Sequence, residues 1–90
     1  MLIVMKFGGS SLATADRIDN AARIIAKRRE EGDDVVAVVS AQGGVTDKLV
    51  KKGLETAESP SPRENDVLIS SGELVSMSLM AMKPLLNLYL

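Results

Sequence analysis

A four-residue apolar run, Leu2-Ile3-Val4-Met5, passes at once into Lys6-Phe7-Gly8-Gly9-Ser10-Ser11, and this stretch constrains the chain more than any other. The run suits a buried parallel strand and is too short for a free-standing helix. Consecutive glycines let the backbone turn sharply and bring bare N–H groups within reach of a ligand. An amphipathic segment follows from about Ala15, so the turn is expected to feed a helix N-terminus, where aligned peptide dipoles favour an anion. Strand, lysine at the strand end, glycine turn and helix start together predict a phosphate site with its own counter-charge. The order differs from the Walker A pattern, because Lys6 precedes the glycines, and from the dinucleotide G-x-G-x-x-G fingerprint. The plainer alternative is a tight turn beside a solvated lysine.

Further along, Ile18, Ala21, Ala22 and Ile25 fall on one face at helical spacing. Lys27, Arg28 and Arg29 are expected to form a solvated, dipole-complementing helix end, and Gly32 to stop the helix. The run Val35 to Val39 shows no polar alternation, which predicts a second strand covered on both faces, parallel to the first through a right-handed crossover. Ligands of parallel α/β sheets sit beyond the carboxyl ends of the strands. Both strands end there in small-residue loops, Lys6 to Ser10 and Ser40-Ala41-Gln42-Gly43-Gly44.

A second helix then carries Leu49, Val50, Gly53, Leu54 and Ala57 on roughly one face. Thr46 or Asp47 is expected to cap it, a role worth about 1 kcal/mol; Thr46, like Ser40, could instead turn its hydroxyl to a ligand carboxylate. Ser59 to Pro62 reads as a loop. Val67-Leu68-Ile69 fits a third strand or a short helix, Ser70 to Glu73 reads as punctuation, and Leu74 to Met82 reads as an apolar helix headed by Glu73. A carboxylate in that position either complements the helix dipole or faces a cleft.

Composition narrows the chemistry. Ninety residues allow one small domain, with a core of Ile, Val, Leu, Met and Ala, since Phe7 and Tyr89 are the only aromatic residues. A net charge of −1 argues against nucleic acid or an anionic membrane as partner. The chain has no cysteine and no histidine, which removes disulfides, thiol chemistry and His-ligated metals, and fits an intracellular setting. Lys6 and the glycines come too early for a signal peptide, and Glu73, Lys83 and Pro84 interrupt any membrane anchor over 67–90.

The three segments VMKFGGSS, VVSAQGGVTDKLV and ENDVLISSGELVSMSLMAM resemble the N-terminal part of aspartate kinases, within the amino acid kinase family. They are similar to that family's K-F-G-G-[TS]-S, V-S-A-x-G-x-x-T-[DN]-x-L and D-x-L-[LI]-S-x-G-E elements, in order, from about Val4 to Met82. The resemblance implies a three-layer α/β fold, of which this chain holds a truncated N-terminal portion with a β-α-β start. It implies transfer of the γ-phosphoryl group of ATP, with Mg2+, to the side chain of L-aspartate, at the entry to lysine, threonine and methionine synthesis in the cytoplasm. By the same match Lys6 is the catalytic cation, Lys6, Phe7, Gly8, Gly9 and Ser10 hold the phosphates, and Ser40, Thr46 and Glu73 hold aspartate. No protein-held metal site is implied, and the full-length family is expected to form homo-oligomers.

Residues 1–82 are thus expected to be the N-terminal part of the catalytic domain, and 83–90 a divergent apolar tail beginning at the Lys83-Pro84 break. The family's adenine half, its G-R-G-G-S-D element and its ACT domains are not in these ninety residues, and a truncated or frame-altered gene product would account for the break. Another amino acid kinase, such as an acetylglutamate kinase, is the nearest alternative; Thr46-Asp47 and Ser70 to Glu73 speak against it. A non-catalytic binding or assembly module, using the apolar stretch from Leu74 to Leu90, is the other.

Overall fold

A computed structural model describes residues 1–87; Leu88, Tyr89 and Leu90 of the predicted tail lie outside the described residues. Strands β1 (Leu2–Phe7) and β2 (Asp34–Val39) pair in parallel, with Leu2 opposite Asp34 and Phe7 opposite Val39. Helix α1 (Ala15–Glu30) makes the crossover, as the periodicity of Ile18 to Ile25 predicts. β1 outruns its apolar run by two residues, because β2 offers pairing as far as Val39. Lys6 therefore lies inside the ladder, opposite Val38, and not after the strand.

The ends of α1 are set by local chemistry. Thr14 caps the start by accepting a hydrogen bond from the Arg17 N–H at 3.2 Å. Gly32, at φ +95°, closes the other end. Its N–H donates to the Arg29 carbonyl and that of Asp33 to the Arg28 carbonyl, the paired bonds that a left-handed residue after a helix makes possible. The basic cluster is more than a solvated end: Arg28 pairs with Asp33 at 3.2 Å and Arg29 with Asp34 at 3.0 Å, tying the turn to the start of β2.

Ile18, Ala21, Ala22, Ile25 and Ala26 of α1 bury against Phe7 and Leu12, with Met5, Val35 and Val39 at the margin. The other strand face is bare: Leu2, Val4, Val36 and Val38 are exposed. The expectation that β2 is covered on both faces is thus not met, because every helix that touches the sheet among the described residues lies on the α1 side. Of the three layers implied, these residues build two.

Helices α2 (Val45–Thr56) and α3 (Pro62–Ala81) form an antiparallel hairpin. Pro62 opens α3 where its missing N–H costs nothing. Val67 to Ile69 is helical, and the predicted break at Ser70 to Glu73 does not exist: α3 runs through it. The serines of α3 are absorbed, since Ser70, Ser71 and Ser78 donate back to the Val67, Leu68 and Leu74 carbonyls. Glu73 accordingly sits mid-helix and heads nothing. After Ala81 the Lys83-Pro84 break holds, and a short helix, α4 (Pro84–Asn87), returns Leu86 to the core. Lys83 also reaches Asp19 of α1 at 3.2 Å, beside Arg23 on the same carboxylate at 2.8 Å.

Candidate functional site

The two small-residue loops are joined directly at the carboxyl edge of the sheet. The Ser40 N–H donates to the Phe7 carbonyl at 3.2 Å, and the Gly43 N–H donates to the Gly9 carbonyl at 2.9 Å. The Gln42 side-chain amide donates to the Leu12 carbonyl at 2.9 Å. Gly9 is required by this closeness: a Cβ there would lie 2.9 Å from the Ala41 carbonyl oxygen, a backbone atom that cannot swing aside.

Between Phe7 and α1 the chain makes a 3-10 turn over Gly9–Leu12, so the glycines do not feed the α-helix as expected. The cause is Leu12, whose fully buried side chain needs the extra turn to reach the core. The Ser11 N–H closes the turn on the Gly8 carbonyl at 3.1 Å. Among the described residues no backbone carbonyl accepts from the Gly8, Gly9 or Ser10 N–H groups, which leaves three donors at the loop. Phe7 itself is buried in the core, so its contribution at the edge is backbone alone. Lys6 is exposed on the bare face of the sheet, next to this turn.

Arg17, in the first turn of α1, belongs to the loop as well. Its Nη1 donates to the Ser10 carbonyl at 2.6 Å, seven residues back, and holds the turn against α1. A hollow of about 310 Å3 opens here, lined by Phe7, Ser11, Arg17 and Asn20 among others. The Thr14 cap, unlike Arg17, is readable from sequence, since a Thr directly before a helical period is a start signal. A larger groove, of about 470 Å3, is lined by Val35, Ala37, Met77, Met80 and Leu86, and by no residue of either glycine loop.

The second loop ends in Gly44, which takes the left-handed conformation at φ +82° and serves as N-cap of α2. The Val45 N–H donates to the Gln42 carbonyl, and the Lys48 N–H to that of Gly44. The expected cap by Thr46 or Asp47 is therefore corrected: α2 starts earlier than that reading needs, and both residues lie inside its first turn. Thr46 is exposed and Ser40 half-buried, leaving both hydroxyls at the sheet edge.

Gly72 brings α3 to this edge. A Cβ on it would stand 3.0 Å from Ala41, 3.1 Å from Val45 and 3.2 Å from Leu49, so any side chain here presses on the second loop and on α2 unless they give by a few tenths of an ångström. Ser76 and Met80 continue the same buried face. Gly72 contacts the residues that directly follow Ser40 and precede Thr46, and Glu73 is the next residue along α3. Ser40 and Thr46 thus flank the second loop, Glu73 follows the glycine of α3 that meets it, and Lys6, Gly8, Gly9 and Ser10 lie at the first. Hydrogen bonds between the loops fix one group against the other. Chemically, this edge can offer backbone donors and a cation to an anion, and hydroxyls and a carboxylate to a zwitterion. No three carboxylates, histidines or cysteines gather into a metal-holding group among the described residues.

Comparison with known proteins is consistent over nearly the whole chain. The sequence profile of the amino acid kinase family matches residues 1–84. Aspartate kinase Ask_LysC of Stutzerimonas stutzeri is 48% identical over 81 residues, covering 90% of this chain and 20% of that protein. An aspartokinase of Pseudomonas aeruginosa is 49% identical over the same length and shares. Among solved structures, the aspartate kinase from Synechocystis superposes with a TM-score of 0.90 at 40% identity, over 99% of this chain and 15% of that one. The chain spans about a fifth of the length of the curated relatives it matches.

Proposed function

The chain belongs to the amino acid kinase family, and from that membership we propose that it carries half of an aspartate kinase site: a phosphate-holding turn and an aspartate-holding edge. The observation that carries the proposal is the direct joining of the two loops, Gly43 N–H to Gly9 carbonyl, at the carboxyl edge of parallel strands.

In this reading the aspartate side chain is the nucleophile. Its carboxyl is ionised at neutral pH, with an ordinary pKa of about 3.9, so no general base is needed and the lack of histidine and cysteine costs nothing. A carboxylate oxygen forms the new bond to the γ-phosphorus as the bond from that phosphorus to the β–γ bridging oxygen breaks. The products are ADP and 4-phospho-L-aspartate. Work of this kind is positioning and charge stabilisation. Lys6 neutralises the phosphoryl oxygens in transit, and the Gly8, Gly9 and Ser10 N–H groups direct their dipoles at the same charge. Ser40 and Thr46 donate hydroxyl hydrogen bonds to a carboxylate of the substrate, and Glu73 meets its α-ammonium. Mg2+ enters kinase chemistry bound largely by nucleotide phosphates. The described residues offer it no carboxylate cluster of their own.

The proposal is tested with the ninety residues and two probes. Inorganic triphosphate is expected to shift the amide resonances of Gly8, Gly9 and Ser10, and Lys6→Met to weaken that binding by at least about tenfold, the worth of a charge-assisted contact. Lys6 is exposed, so the variant keeps the fold. Because the nucleotide half of the site is not in these residues, no ATP- and aspartate-dependent acyl phosphate should form, measured by hydroxylamine trapping. Shifts indifferent to Lys6, or acyl phosphate made by the ninety residues alone, would overturn this account.

A further inference from the structure

The turn over Gly9–Leu12 sorts its backbone by polarity. The carbonyls of Gly8, Gly9, Ser10 and Leu12 accept from the Ser11 N–H, the Gly43 N–H, the Arg17 guanidinium and the Gln42 side-chain amide, at 3.1, 2.9, 2.6 and 2.9 Å. The N–H groups of Gly8, Gly9 and Ser10 have no carbonyl partner among the described residues. Acceptors are thus taken up within the chain and donors are left for a ligand. A 3-10 turn of four residues has poor hydrogen-bond geometry of its own, so its shape depends on ties from outside.

Among these ties, Gln42 supplies the one made by a side chain of the second loop. Its bond is partly buried, whereas that of Arg17 is exposed, so water competes less for it. Both of its ends are anchored. The Gln42 carbonyl accepts from the Val45 N–H at 3.0 Å, Ala41 before it is buried, and Gly43 after it holds Gly9. At the other end the Leu12 side chain is fully buried. The amide on its two-methylene stem therefore bridges two fixed points thirty residues apart in the chain. Position 42 is the open one in the V-S-A-x-G element, so the tie is made by a residue that the element does not specify.

We propose that Gln42 is a positioning residue for the phosphate turn: by donating to the Leu12 carbonyl it holds the Gly8, Gly9 and Ser10 N–H groups in place for a polyphosphate that it does not touch. Donors placed beforehand need no reorganisation when negative charge arrives, and the ordering cost of binding falls accordingly. The inference rests on reading the loops as half of a kinase site, and adds how the loop assigned to aspartate sets the shape of the turn assigned to phosphate. Glutamine suits the task through its reach and its donor. Methionine has a similar reach and no donor, and glutamate has the reach but donates only when its carboxyl is protonated.

The test compares the ninety residues with Gln42→Met and Gln42→Glu, using inorganic triphosphate as the probe and circular dichroism to check that each variant folds. Gln42→Met should weaken triphosphate binding roughly three- to tenfold, the worth of one hydrogen bond, and speed amide exchange at Ser11 and Gly43. Gln42→Glu should match Gln42→Met at neutral pH. Its affinity, taken as a ratio to the unsubstituted chain at the same pH, should recover as pH falls toward the ordinary glutamate pKa of about 4.3, where the carboxyl regains a proton to donate. A residue that merely fills space would show no such acid recovery. Unaltered affinity and exchange in Gln42→Met, or a Gln42→Glu deficit that acid does not restore, would overturn the role of Gln42 and leave the kinase-site reading standing. An unsubstituted chain that binds no triphosphate, with Ser11 exchange still faster in Gln42→Met, would overturn that reading and leave Gln42 as the residue that shapes the turn.

Discussion

At the scale of single residues, main-chain atoms join the two loops and two side chains, Arg17 and Gln42, brace them. Gly9 and Gly43 meet through their main chains, and Arg17 braces the turn by donating to the Ser10 carbonyl at 2.6 Å. Arg17→Ala should therefore leave the helix intact and loosen the turn. The expected readout is faster amide exchange at Gly8 to Ser11, with Arg17→Lys recovering part of the protection; unchanged exchange in both variants would remove Arg17 from the site. Asp19 gives a pH prediction. A hydrogen bond from Lys83, then one from Arg23, holds its carboxyl below the usual carboxylate range. A group whose pKa is depressed on folding adds stability that is complete above its unfolded pKa and is lost as pH falls through the folded one. Thermal melts should thus show an acid-side decline below about pH 4, and Asp19→Asn should flatten that limb without altering the shape above pH 5. These residues were unequally legible. Lys6 to Ser10 and Ser40 to Gly44 could be found because glycine and serine at strand ends carry their reasons locally. Arg17 could not, because its partner lies seven residues back across a turn whose shape depends on burying Leu12.

At the scale of elements, β1, α1 and β2 follow from pattern: a run of apolar residues, a period of 3.6, and Gly32 as a stop. α3 does not. Its sequence holds Ser70-Ser71-Gly72, which reads as a break, yet the serines satisfy themselves on carbonyls one turn back and the glycine is there for contact. What favours glycine at 72 is the proximity of Ala41, Val45 and Leu49, more than twenty residues earlier in the chain, and no local window contains them. Gly72→Ala is expected to cost roughly 1–3 kcal/mol by overpacking, despite the better helix propensity of alanine. Chemical denaturation reads this directly. A gain in stability would mean that α3 does not press on the second loop. At the start of α2, Gly44 in the left-handed conformation takes the cap position expected of Thr46 or Asp47, and Thr46 lies exposed within the first turn.

At the scale of the whole molecule, the chain is a β-α-β unit with a helical hairpin along its functional edge and a second sheet face left bare. That bareness was illegible, because Val35 to Val39 is apolar on both sides and the run alone cannot say what covers each. The central claim is that this small fold keeps an aspartate-binding edge ready-made. The most direct test is an amide NMR spectrum of the labelled chain, with and without L-aspartate. The account predicts a dispersed spectrum whose shifts on adding aspartate centre on Ser40, Thr46 and Glu73, and which fail to appear in Glu73→Gln. A collapsed spectrum, or a dispersed one unmoved by aspartate, would contradict it.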